Sequence, residues 1–414
     1  MPEFLTLLPP DDARALLLSN LSQPVIDSEQ IDVPASLGRV LAEDIHAPQP
    51  LPDFQRSTVD GYAVRAGDTH GASDSLPTYL HLVGEVPMGD APVFAVETGQ
   101  CALIHTGGML PNGADAVMML EYTQSAQKNE VEIFRAVADG ENVIRVGEDV
   151  AQGQLVQPKG SLLRPAEIGG LMALGITQVR VARRVQVGLI STGDEVIDPH
   201  QAPRPGQVRD VNSYTLGALV EKSGGVAKLY GIISDEFETL KDAAANALAE
   251  CDVIIITAGS SASTRDMTAD VIRSLGAPGV LVHGINTRPG KPTILGLCNG
   301  KAVIGLPGNP VSALVNGYLF VMPVIEKLLG TLPRPKATVL ARLTVNLASQ
   351  AGREDWWPVK LIANRELLRA DFDANPIFGK SNLIFTLASA DGLLRIPPDA
   401  TGLSAGEVVE VYLL

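Results

Sequence analysis

Cysteine is scarce in this chain, with three in 414 residues. Cys101, Cys251 and Cys298 lie far apart, with neither a pairing pattern nor metal-ligand spacing, which predicts a reducing, cytoplasmic setting. The six histidines are equally scattered. No HxxxH string and no Ser/His/Asp arrangement appears, so neither a zinc protease nor a hydrolase triad is supported. The first residues lack a basic n-region and meet acids and prolines early, unlike a signal peptide. No apolar run is expected to be long enough to span a bilayer. Positive charge is also in deficit: 32 Lys and Arg against 47 Asp and Glu leave a net charge of −15. That balance argues against nucleic acid, which needs a basic surface. An anionic ligand would need local cations, helix N-termini or a metal to hold it against the global field.

What is abundant is turn chemistry, with 40 glycines and 29 prolines, and hydrophobic residues at an ordinary 45%. The length predicts about two to four domains. Residues 11–22 read as a helix and 24–45 as strand and helix, with SLGRVLAEDI as an amphipathic turn. From LPDFQRSTVDGYAVR onward the texture is all-β. Pro165 then opens a helix, where its missing N–H costs little. Three apolar β-rich runs follow, each entering a Gly-containing polar loop: Val185 to Glu195, Cys251 to Asp266, and Lys301 to Ser312. Runs without alternation mark strands buried on both faces of a parallel sheet. A long helix from Pro310 to about Leu329, the hinge GTLPRPKA and a set of short alternating strands complete the chain.

Ligands of open α/β sheets sit beyond the carboxyl ends of the strands, where the three loops lie. The STGDE loop offers Thr192, Asp194 and Glu195, either as hard-oxygen ligands for Mg²⁺ or as an ordinary helix cap and first turn. AGSSASTRD offers backbone N–H groups, hydroxyls including Ser261, and Asp266, for phosphate or as a plain βα turn. In LPGNPVS, Asn309 is a natural N-cap and Pro310 sits at N1, making an anion-receptive helix start. RPGKP is not a phosphate-cradling P-loop, because neither Ser nor Thr follows Lys291, yet it fixes Arg288 and Lys291 in a stiff turn, for a phosphate or oxyanion or as solvated surface charge. Asp60 before Gly61, and Thr106 before two glycines, each read alone as hairpin turns.

Ten strings in order carry a more specific signal: VDGYAVR, TGGMLPNGADAVMMLE, GEDV, STGDEV, GQVRDVN, the 257–266 loop, RPGKP, GLPGNPVSA, GRED and ADGL. Together they resemble the molybdopterin molybdenumtransferase family, the molybdenum-insertion enzymes that include the E domain of gephyrin. The resemblance spans nearly the whole chain. It implies a multidomain α/β and β fold: an N-terminal helical/β domain (1–47 and 143–182), a β-rich insert (48–142), a three-layer molybdopterin-binding α/β domain (183–331) and a C-terminal β-barrel (332–414). It further implies a homodimer whose active site is shared between subunits, Mg²⁺ as cofactor, and adenylylated molybdopterin and molybdate as substrates. Other cofactor-biosynthesis proteins are implied as partners.

Carried over by motif, the resemblance makes Asp60, Thr106, Glu195, Asp235, Asp266 and Lys291 catalytic, with Glu195, Asp235 and Asp266 at the metal. Asp149, Thr192, Ser261, Arg288, Pro307, Pro310, Ser312 and Arg353 become substrate-binding. The implied reaction is molybdenum insertion with release of AMP. Its rivals are the adenylyltransferase step, a tungsten-specific insertase and a non-enzymatic scaffold. The chain departs from the family pattern at AGSSASTRD, where two glycines are missing, at Arg288, where lysine is common, and at Ser381-Asn382, where Ser-Gly is usual.

Overall fold

The three apolar runs become adjacent parallel strands, Val185–Thr192, Val253–Ala258 and Lys301–Pro307, in register through Leu189, Ile255 and Ile304. This is a computed structural model that describes residues 7–21, 27–258, 262–364 and 370–414, with backbone alone for 262–266. Gly225–Ile233 extends the sheet in parallel beside Val185–Thr192, and antiparallel Ile294–Cys298 and Pro278–His283 close the other side. Alternate side chains feed opposite layers. Leu189, Ile255 and Ile304 pack with helix Asn212–Lys222 and the segment after Pro310, while Ile190, Ile254 and Ile256 face helices Phe237–Glu250 and Ala262–Ser274. Burial on both faces is the reason these strands show no polar alternation.

The segment Pro310–Leu329 corrects one expectation, because it is long and apolar enough to cross a membrane by composition. Two thirds of that window is buried inside the protein, and Val315, Phe320, Val324 and Ile325 belong to the sheet's core. It is an all-round apolar core helix. A π turn at Gly317–Val321 interrupts it just before Pro323, where a regular helix would need an N–H that proline lacks.

Upstream, Ser28–Asp32 pairs antiparallel with Gln178–Ala182, and helix Pro165–Ala173 starts with Pro165 at N1. No helix forms within residues 27–45. Pro34 opens only a short 3₁₀ turn, Val33–Ala35, Gly38 takes φ +73°, and Val40 and Leu41 make single bridges. Between these pieces lies a six-stranded sheet around Val64, Leu80, Met118, Ile104 and Val117. At the far end, five strands pair in a closed ring: Glu354–Ala363, Phe372–Pro376, Thr338–Leu343, Val408–Leu413 and Gly392–Ile396, which returns to the first. Thr287–Arg288 adds in parallel to Glu354–Asp355, docking the RPGKP turn on this barrel.

Candidate active site

That docking builds a cavity of about 770 Å³ between the α/β sheet and the barrel. Its walls include five of the candidate site residues, Arg288, Lys291, Pro307, Ser312 and Arg353, together with Asn309, Ser381 and Asn382. The RPGKP turn is fixed from below by Asn316, a fully buried residue whose amide donates to the Pro289 carbonyl (3.1 Å) and to Ser312 O (2.7 Å). Gly290 takes φ +110°, and a Cβ there would lie 1.7 Å from that amide nitrogen. Only glycine satisfies both constraints. LPGNP is braced in the same way, by Asn212 Nδ2 donating to Gly308 O at 2.8 Å. Asn309 holds the N-cap position of the following helix, but its side chain makes no cap hydrogen bond, and Pro310 lies at N1 outside the cavity lining.

The guanidinium of Arg288 lies 5.6 Å from the ring centre of Trp357, which stabilises the cation without neutralising it. Arg353 is held differently, by a two-pronged pairing with buried Asp355 at 2.6 and 3.0 Å. Trp356 donates to Glu354 at 2.7 Å, and Glu354 in turn pairs with Arg395 at 2.6 Å. Trp356, Trp357 and Lys380 also line the cavity, and sequence reasoning missed all three. The available signal was the adjacent pair of tryptophans, the only two in the chain.

At the end of strand Val185–Thr192 a second cluster forms. Gly193 takes φ +136°, and the space of its missing side chain is occupied by the Glu195 carboxylate, 2.9 Å from where a Cβ would stand. The Asp235 N–H faces Asp194 Oδ1 at 3.4 Å. Burial pushes the Asp235 carboxyl above its usual range, and the charges of Asp194 and Glu195 add to the shift. The Thr192 side chain interacts with the Asp235 carboxyl and offsets part of that shift, yet among the described residues Thr192 Oγ1 and Asp235 Oδ1 are buried without a partner at hydrogen-bonding geometry. Such orphaned oxygens suit a hard cation, although among the described residues no set of three or more His, Cys, Asp or Glu side chains is gathered to hold one. Asp266 falls within helix Ala262–Ser274, described by its backbone alone, and Ser261 lies outside the described residues.

The insert carries the third cluster, and it corrects the hairpin reading. Gly61–Val64 is central in its sheet, with Gln100–Ile104 and Ala116–Met119 on either side, so neither Asp60-Gly61 nor the glycines after Thr106 turn a hairpin. Instead Asp60 Oδ1 accepts from the Thr106 N–H (2.8 Å) and hydroxyl (3.2 Å). These bonds, the backbone one first, hold the Asp60 carboxyl below its ordinary range. Gly61 is required because a Cβ would lie 1.9 Å from the Met118 carbonyl oxygen. Asp149 stands apart on an exposed turn, its N–H bonded to Leu51 O.

Three family descriptions match in order: the MoeA N-terminal region, domains I and II, at residues 8–175; a probable molybdopterin-binding domain at 188–327; and the MoeA C-terminal region, domain IV, at 340–414. The chain belongs to the MoeA family. A Methanocaldococcus jannaschii relative named putative molybdopterin biosynthesis protein is 38% identical over 99% of this chain and 98% of its own length. A protein of Nostoc, named molybdopterin molybdenumtransferase, is 35% identical over 94% of this chain and 91% of its own. The crystal structure of a Pyrococcus horikoshii MoeA protein is 33% identical, with TM-score 0.86, covering 99% of this chain and 100% of that one.

Proposed function

We propose that this protein inserts molybdenum from molybdate into adenylylated molybdopterin, releasing AMP and forming molybdenum cofactor. The observation that carries the reading is the cavity at the barrel junction, where Arg288 and Lys291 are presented rigidly in a chain of net charge −15. Uncompensated cations in such a field are suited to an oxyanion and a phosphate. The names of the Nostoc and Haemophilus influenzae relatives, both molybdopterin molybdenumtransferase, support it.

The bond to be broken is the phosphoanhydride that joins AMP to the pterin phosphate. Negative charge grows on the departing phosphate, and preorganised cations lower the barrier by meeting it. Lys291 and Arg288 perform this service, with Ser312 and Pro307 shaping the floor and Pro310 fixing the helix start behind it. Glu195, Asp235 and Asp266 would hold Mg²⁺, which supplies further charge neutralisation when bound. The orphaned Asp235 and Thr192 oxygens fit that role. Asp60 and Thr106, exposed on the insert, close the site from a second subunit of a cytoplasmic homodimer and help position molybdate. Asp149 and Ser261 contribute at its margins.

An adenylyltransferase or a scaffold is not favoured, because the match extends through the insert and the barrel as well as the α/β domain. The deciding experiment incubates the protein with adenylylated molybdopterin and follows AMP release, with molybdate and tungstate in parallel. Lys291→Ala should abolish molybdate-dependent release. Full release by that variant refutes the assignment, and equal turnover with tungstate removes the choice of molybdenum.

A further inference from the structure

The sheet of the insert brings three ionisable side chains to one end. Gln100–Ile104 lies between Gly61–Val64, antiparallel to it, and Thr78–Glu85, parallel to it. The start of the first neighbour and the ends of the other two strands therefore coincide, with Gly61 opposite Ile104 and Glu85 opposite Leu103. Asp60, Glu85 and His105 meet there. His105 Nε2 lies 3.2 Å from Glu85 Oε1, and Nδ1 lies 3.6 Å from Asp60 Oδ1. Among the described residues, neither carboxylate pairs with any other cationic side chain.

The backbone under this array is fixed. The Gly108 N–H donates to His105 O and the Gly107 N–H to Ser57 O, both at 2.8 Å, and Gly107 takes φ +86°. A Cβ on Gly108 would lie 2.9 Å from the same His105 carbonyl oxygen. The two glycines after Thr106 thus hold the His105-Thr106 pair against Asp60. Ion pairs between half-exposed side chains add little stability, so a structural brace does not account for the array. Its effect is on charge. The Thr106 N–H holds the Asp60 carboxyl down most, the Thr106 hydroxyl next, and the His105 ring adds to both. A charged imidazole donates from both nitrogens, whereas a neutral one has a single N–H and serves only one carboxylate. Two carboxylates and one imidazolium sum to −1, and with a neutral ring the sum is −2. An anion approaching this edge meets twice the negative charge once the ring is neutral, in a chain already at −15.

We infer that His105 is a positioning residue for Asp60, and that the Glu85–His105–Asp60 array makes the charge of the insert's edge, and with it the access of an anionic substrate, depend on one imidazole. The inference rests on the reading under Proposed function, in which Asp60 and Thr106 help position molybdate. It names two residues that reading leaves out.

Two measurements on the full-length protein test this. Carbon-detected titration of His105→Gln, which keeps a polar but neutral side chain, should show the Asp60 pKa raised, by less than Thr106→Val raises it. An Asp60 titration equal to that of the wild type overturns the positioning role. The second measurement is molybdate-dependent AMP release from adenylylated molybdopterin between about pH 5.5 and 8, the range in which histidine changes charge. The wild-type KM for molybdate should rise about threefold over that range. His105→Gln should hold the high value throughout and His105→Lys the low one, because the first never carries the charge and the second never loses it. A KM that still rises in His105→Gln as it does in the wild type overturns the charge role, and so does a His105→Lys profile like that of His105→Gln. A wild type without molybdate-dependent release overturns the underlying reading instead, and the Asp60 titration then still decides whether His105 positions Asp60.

Discussion

Gly290→Ala offers the most demanding test of how the site is built. The new methyl would stand 1.7 Å from Asn316 Nδ2, 2.6 Å from its Cγ and 2.9 Å from its Oδ1. A flexible surface side chain would swing away, but Asn316 is fully buried, and its amide donates to Pro289 O and Ser312 O. Moving it forfeits two hydrogen bonds at about 1 kcal/mol each. Holding alanine at φ +110° adds about 1–2 kcal/mol. The expected loss is about 3–4 kcal/mol, which lowers the melting transition of the α/β region by roughly 10 °C. Thermal denaturation followed by circular dichroism reads this directly. The decisive measurement is the cycle with Asn316→Ala, which removes the obstructing amide. The double variant should be more stable than the sum of the single losses predicts, by more than about 1 kcal/mol. Additive losses, or a Gly290→Ala loss below about 1 kcal/mol, would refute the clamp.

Three further outcomes are expected. Asp235→Asn should stabilise the metal-free protein near neutral pH: folding raises the Asp235 pKa, so its contribution is present below the unfolded value and is lost as pH rises through the folded one. If the proposed Mg²⁺ site forms, added Mg²⁺ should raise the melting temperature of the wild type and not of this variant, and an equal rise in both would remove Asp235 from the proposed site. Thr106→Val should raise the Asp60 pKa while leaving it below the ordinary range, since the backbone N–H, the larger contributor, remains; carbon-detected titration measures it. Because Asp60 titrates low when folded, its contribution is complete above its unfolded value and is lost only as pH falls through the folded one, so wild-type activity should show no Asp60 titration at neutral pH. Burial pushes the Cys101 thiol up to about 12 and that of Cys298 to about 11, so neither should react with iodoacetamide at pH 8 in the folded protein. Mass spectrometry after brief labelling would expose a modified thiol and contradict their placement.

The sheet was legible because two-sided burial strips polar residues from strands such as Val253–Ala258, a pattern independent of any partner. The RPGKP and LPGNP turns were legible for a similar local reason, since Gly and Pro restrict backbone shape wherever they stand. Asp60 and Thr106 were each recognisable only by motif. Their hydrogen bond joins positions 46 apart, and spacing along the chain cannot reveal it. Closure of the barrel was ambiguous for a different reason: alternation looks alike in a sandwich and in a ring, and only the pairing of Glu354–Ala363 with Gly392–Ile396 decides. Lys380 carried no signal, because a loop lysine gains its meaning from the cations and carboxylates folded around it. The strand expected within residues 24–45 forms at Ser28–Asp32, but the helix expected after it does not, because Pro34 and Gly38 force turns and single bridges.

The antiparallel ribbon of Ser28–Asp32 with Gln178–Ala182 also sets an order of events during synthesis. Gln30 and Gln178, hydrogen bonded side chain to side chain, stand 148 positions apart. Every strand of the six-stranded insert sheet lies inside that interval, between Gly61 and Ile133. Its pairings are therefore all available to the growing chain before the first residue of the returning strand emerges. The insert folds as a finished body on an unfinished base, and its prior collapse shortens the loop that the ribbon must then close. The edge bearing Asp60 and Thr106 is thus made early, whereas the cavity with Lys380 waits for the last strands of the chain.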